Sequence, residues 1–214
     1  YVTVEIARFG DEAVAGWAIV GRIIPVAFGV VFSLSAAIGP ILGQNYGARR
    51  YERLMMALRD ALVFVTFYCL VVWLLLALFA GPISDLFGAT GEARALILFF
   101  CVFAAGSFLF NGAMFVATAA FNNLGFPTWS TFFNWGRSTL GTIPFVWVGA
   151  HLYEAKGVIA GWSLGAVVFG IAAMVVAFRV VRNIADRPPA GQGAPPPPPA
   201  ANSPFSTGKA STLQ

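Results

Sequence analysis

Residues 95–136 contain no Asp, Glu, Lys or Arg, and neither do 61–84 or 157–178. These gaps constrain the fold more than any motif in the chain. A helix that crosses the hydrocarbon core of a bilayer needs roughly 20 predominantly apolar residues, and each gap can supply one. The rest of the composition agrees. Charged residues make up 10% of the chain and hydrophobic residues 58%, with a mean hydropathy of +0.78, whereas a soluble domain carries about 25% charged residues. The prediction is an all-α, polytopic transmembrane bundle with the lipid bilayer as its first partner.

Apolar length along the chain predicts five spans, at 14–42, 61–83, 95–121, 128–150 and 157–181. Residues 1–10, "YVTVEIARFG", read as the end of a preceding helix, and 11–183 as one transmembrane bundle. There is no initiator Met, so the chain is expected to be a fragment that lacks its N-terminal part. From 184 to 214 the character changes, with "RPPAGQGAPPPPPAANSPFSTGKASTLQ" combining a proline run with little apolar content. Such a segment cannot bury a core, and a disordered, extended tail is expected.

The charges test this layout. The loop after the first span holds Arg49, Arg50, Arg53 and Arg59, and the end of the chain holds Arg179, Arg182, Arg187 and Lys209. Four spans separate the two groups, so they fall on one side of the membrane. The opposite connections keep Arg8, Arg94 and Lys156 beside Glu5, Asp11, Glu12, Asp85, Glu92 and Glu154. The positive-inside bias then makes the loop and the tail cytoplasmic, in a cell (inner) membrane. The net charge of +4 is explained by this asymmetry, and no nucleic-acid partner is expected.

No enzyme signature is present. The single histidine, His151, lies at a helix end, and Cys69 and Cys101 fall inside apolar runs, so neither a metal nor a cofactor is expected. The informative residues are polar ones within the spans, where they need a partner. Arg137 lies about 13 Å into its span at 1.5 Å per residue. It either snorkels to the headgroups or belongs to a polar face with Asn134, Ser138 and Gly141, which share its helical spacing. Arg22, about eight residues into the first span with Pro25 following, has the same two readings. Asn111 and Ser107, one turn apart in the third span, either bond a neighbouring helix or face a cavity. The substrate or cavity candidates are therefore Arg22, Asn111, Asn134, Arg137 and Ser138. Gly157, Gly161 and Gly165 recur every four residues, a small-residue stripe that lets helices approach closely and carries packing alone.

The connection between the first two spans is the most specific segment. "GQNYGARRYERL", preceded by "SLSAAIGPIL", resembles the cytoplasmic loop of the multidrug and toxic compound extrusion (MATE) transporters. Gly43, Gln44, Asn45, Gly47, Arg49 and Arg50 form its loop motif, with the glycines expected to provide a tight turn and the arginines to set orientation. "ARFGDEAVAGWAIVGRI" and "AAFNNLGFPTWSTFFNWGRSTLGTIPFVWVGA" are similar to two further stretches of the family. The resemblance implies the C-terminal half of the protein, the five spans being helices eight to twelve of a twelve-helix, inverted-V transporter. It also implies a missing N-terminal half as partner, and export of cationic or amphipathic small molecules against H⁺ or Na⁺. One departure stands out. The acidic residue that several members of the family carry in the tenth helix has no counterpart between 95 and 121, where Asn111 lies nearest, and Asn neither takes up a proton nor offers a charge to Na⁺. A flippase of lipid-linked oligosaccharides or precursors in the same superfamily, or a non-transporting truncated membrane protein, are the alternatives.

Overall fold

The computed structural model describes residues 1–186, and every regular element among them is helical. In chain order these are α1 (Val2–Ala7), α2 (Asp11–Gly47), α3 (Tyr51–Leu78), α4 (Ala80–Leu86), α5 (Gly91–Val102), a 3₁₀ turn (Ala104–Ser107), α6 (Phe108–Asn123), α7 (Pro127–Ser138) and α8 (Ile143–Ala185). Four stretches are long and apolar enough to cross a membrane: Asp11–Gly47, Tyr51–Leu78, Ala104–Asn123 and Pro127–Ala185. The expected all-α membrane bundle is what forms. Of the tail expected over 184–214, residues from 187 onward lie outside the described residues.

The last stretch is a hairpin. Within α8 the backbone leaves helical geometry at Tyr153 (φ −140°, ψ 26°) and Glu154 (φ 51°, ψ −136°). Beyond that point Gly157 packs against the backbone of Gly149, Gly161 against that of Phe145, and Gly165 against that of Gly141. The partners step by four in opposite directions, which is the register of two antiparallel limbs in backbone contact. A Cβ on any of the three glycines would overlap a carbonyl of the facing limb. The stripe therefore draws the limbs together as small-residue stripes do between membrane helices.

The core forms where α2 meets α6. Phe28 stacks on Phe108 with centroids 4.1 Å apart, and Phe108 also meets the indole of Trp162 at 6.0 Å. Ser35 Oγ on α2 donates to the Phe115 carbonyl at 3.2 Å. Tyr68 Oη on α3 donates to the Ala27 carbonyl at 2.7 Å. Side-chain donors reaching backbone carbonyls are the expected cross-links where no water competes for them. A second cluster, Met114, Ala117, Phe121, Phe133, Ala173 and Ala177, joins α6, α7 and α8.

Two of the expected spans are interrupted. The third breaks at Ala104–Ser107 between α5 and α6, a position without proline. Trp73 of α3 packs against the break. Its Nε1 donates to the Val102 carbonyl at 2.9 Å, and its ring lies over Gly106, where a Cβ would stand 3.0 Å from the indole. The fourth breaks between α7 and α8, at 139–142. There Thr139 Oγ1 donates to the Trp135 carbonyl at 2.7 Å and Thr142 Oγ1 to that of Arg137 at 2.9 Å. The Gly141 N–H takes the Gly136 carbonyl at 2.8 Å, five residues back. The Trp135 carbonyl also keeps its Thr139 N–H bond, while Thr142 Oγ1 and the wider Gly141 N–H bond take up the Arg137 and Gly136 carbonyls at the break, as a lipid environment demands.

Candidate functional site

Asn111 of α6 and Ser107 in the 3₁₀ turn before it are sealed in the bundle. Asn111 is 3% exposed and Ser107 6%. Spacings of four and seven residues put Ser107, Asn111 and Thr118 on one helical face. Ser107 Oγ, Asn111 Nδ2 and Thr118 Oγ1 find no hydrogen-bond partner among the described residues, and Ser163 Oγ on α8 shares that state. A buried donor left unpaired costs about 1–3 kcal/mol, so this row is held in place against its own chemistry. Thr118 and Ser163 were not singled out from the sequence, although the spacing of Thr118 from Asn111 was a readable signal. Ser107 and Ser163 also border a groove of about 410 Å³ whose other walls include Trp73, Phe99, Phe103 and Leu164.

Arg137 stands half-buried in the last turn of α7, which packs against α6 and α8. A cation there complements the carbonyl end of the helix. Asn134 is exposed and turns its Nδ2 back to the Ser130 carbonyl at 2.8 Å, and Ser138 is exposed. The expected polar face ends at Ser138. Gly141 does not continue it, because the chain leaves the helix at 139 and carries Gly141 into the contact with Gly165.

Arg22 is exposed on α2 and lines a separate groove of about 530 Å³ between α2, α3 and α4, with Val26, Tyr68, Leu75 and Phe79 among its apolar walls. The five cavity candidates therefore divide into three places: Arg22 in this groove, Asn111 in the interior row, and Asn134, Arg137 and Ser138 on α7.

The loop motif needs a correction. Gly43, Gln44, Asn45 and Gly47 are not in a loop; they form the last turns of α2. The reversal uses Arg49, which takes the left-handed conformation at φ 55°. The Arg50 N–H then bonds the Asn45 carbonyl at 2.9 Å and the Arg49 N–H that of Tyr46 at 3.0 Å. This is the helix-ending pattern that usually places glycine at the left-handed position. The glycines do something else. Gly39 and Gly43 admit the side chain of Asn123 at the end of α6, whose Nδ2 would lie 2.6 Å from a Cβ on Gly39. Nothing lies within 4 Å of a Cβ on Gly47. Gly47→Ala is therefore expected to leave the reversal intact and to stabilise α2 by up to about 1 kcal/mol through helix propensity. Thermal unfolding in detergent checks this, and a fall in midpoint would return Gly47 to the turn.

At the opposite end of α2, Glu5 on α1 is 7% exposed and accepts a 2.9 Å bond from Arg8 Nη1. That bond holds its carboxyl below the usual carboxylate range.

The MatE family model matches residues 1–148. The chain belongs to the MatE family. A 21 kDa protein from the iaaL 5′ region of Pseudomonas savastanoi is 36% identical over 183 residues, covering 82% of this chain and 58% of the relative. An FAD transporter of Shewanella oneidensis is 26% identical over 175 residues, covering 82% of this chain and 39% of the relative. The crystal structure of the Vibrio cholerae MATE transporter VcmN in its bent form superimposes with a TM-score of 0.80 at 26% identity, over 85% of this chain and 42% of that one. This MatE chain thus spans less than two thirds of the length of these relatives, and it matches half of the MATE transporter fold. It is a membrane transporter family, with no enzymatic chemistry to assign.

Proposed function

We propose that this chain acts as the C-terminal half of a secondary active antiporter that exports cationic or amphipathic compounds against inward H⁺ or Na⁺. The observation that carries the reading is its superposition on one half of the VcmN transporter at 26% identity. In this reading the other half completes the cavity. It also supplies the coupling acid, since no Asp or Glu occurs on 95–121. The unpaired row at Ser107, Asn111 and Thr118 fits a helix that exchanges partners during a transport cycle. The basic reversal at Arg49 and the end of α8 at Arg182 lie together in the structure. We assign that end to the cytoplasm of the inner membrane by the positive-inside bias.

In the complete transporter, Arg137→Ala is expected to reduce efflux of a fluorescent organic cation roughly tenfold, equivalent to about 1.4 kcal/mol. Membrane insertion is expected to be unchanged. Reconstituted vesicles with imposed H⁺ or Na⁺ gradients provide the test. Transport of the cation under neither gradient would refute the antiport reading, and wild-type transport by the variant would remove Arg137 from the site.

A second reading has its own support. The Shewanella oneidensis relative is an FAD transporter, and the apolar groove beside α2 carries a single charged lining residue, the guanidinium of Arg22. A flavin nucleotide combines an apolar ring with phosphates and suits that pairing. The same vesicles distinguish the two: FAD uptake that is lost in Arg22→Gln, with cation transport absent, would favour the anionic substrate.

A further inference from the structure

At the end of the bundle where α2 gives way to α3, three helix termini meet in a basic groove of about 830 Å³. Arg50 and Arg53 enter it from the reversal and the first turn of α3, and Arg182 enters from the last turn of α8, far away in the sequence. Tyr51, Met55 and Ala185 form its apolar side. We infer that this groove binds the phosphate of an anionic phospholipid, with the apolar side lying along the start of an acyl chain.

The charge balance supports this. Arg49, Arg50, Arg53 and Arg182 line the groove against two acids, Glu52 and Asp186. The Arg182–Asp186 pair is 3.7 Å long with both side chains more than two-thirds exposed, and exposed pairs of that kind hold their partners weakly. Among the described residues Arg50 and Arg53 form no ion pair. The first turn of α3 starts at the groove without a side-chain cap, so the positive end of its dipole lies beside these arginines. A guanidinium offers several donors in a planar fork suited to phosphate oxygens. Depth selects lipid over a soluble phosphate. The groove sits where apolar helices end, which is headgroup level, and basic pockets between membrane helices at that level take lipid headgroups. The geometry also explains why the two basic segments converge on one concavity, a feature that the orientation bias alone does not require.

The test uses the whole chain purified in detergent and exposed to equal amounts of phosphatidylglycerol and phosphatidylcholine, with retained lipid measured by native mass spectrometry. Each arginine near an anionic headgroup is worth about 1 kcal/mol, a factor of about five. Wild type is expected to retain phosphatidylglycerol in at least about tenfold preference. The triple variant Arg50→Gln, Arg53→Gln, Arg182→Gln is expected to fall to parity. Arg182→Gln alone leaves the reversal untouched and should lose about fivefold, so the proposal stays testable if the triple variant does not fold. Parity in wild type, or an undiminished preference in Arg182→Gln, overturns it. Complete displacement of the lipid by excess inorganic phosphate also overturns it, because the groove would then belong to soluble phosphates.

Discussion

Replacing Gly165 with alanine is expected to prevent the last hairpin from closing and to remove most of the folded protein recovered in detergent. The added methyl group would enter the space held by the Gly141 carbonyl on the facing limb. Both elements at that point are backbone, so no flexible side chain can move aside. Overpacking of a tight site costs typically 1–3 kcal/mol and occasionally more, and a backbone-to-backbone clash belongs at the upper end. Membrane helices associate through van der Waals contact without a hydrophobic gain between them, so separating the limbs forfeits the contact that joins them. Gly161→Ala meets the Phe145 backbone in the same way and should behave alike. Gly29 is the control: nothing lies within 4 Å of a Cβ there, and alanine is the better helix former by about 1 kcal/mol. The measurement is monodisperse yield and thermal midpoint by size-exclusion fluorescence. Equal midpoints for wild type and Gly165→Ala would mean that the limbs are not in backbone contact.

That hairpin is also the clearest case of structure legible in the sequence. Glycine every four residues can mean little else in an apolar helix, and the charge-free gaps marked the bundle in the same direct way. The breaks within the third and fourth spans carry only partial local signals: the pair Gly106–Ser107 lies in the first, and Pro144 follows the second in the first turn of α8. At Ala104–Ser107 the local pair is met by Trp73 from α3, whose bond to the Val102 carbonyl is a tertiary contact that no local pattern carries. The same holds at the reversal after α2. Gly43 and Gly47 looked like turn residues because glycine is permissive, yet the helix runs through both and Arg49 takes the left-handed position. Glycine composition located the region correctly but misplaced the bend, since the close approach of Asn123 was not visible from α2 alone. The candidate site was legible as a set of residue types. Its division into an interior row, a half-buried arginine and an apolar groove was not, because side-chain partners decide it.

The largest functional effect is expected at Asn111, where stability and transport should move in opposite directions. Asn111 is 3% exposed and its Nδ2 has no partner among the described residues. Substituting leucine, of similar size, removes that unpaired donor. The gain is about 1–3 kcal/mol if nothing else changes, the usual penalty of a buried unsatisfied group. A residue kept only for packing would by that argument have been better as leucine, whose side chain loses nothing in an apolar interior. An antiport cycle gives the amide a use, because a helix that alternates between two sets of neighbours needs a polar group unpaired in one of them. In the complete transporter, Asn111→Leu is therefore expected to raise the thermal midpoint while lowering cation efflux by at least roughly tenfold, or about 1.4 kcal/mol of barrier. Thr118→Val, which removes a second unpaired hydroxyl from the same face, should show the same opposition to a smaller degree. A variant that is both more stable and fully active would make Asn111 a tolerated polar residue of the core. One that is less stable would show that its amide has a partner in the membrane-inserted transporter, and the row would then be structural.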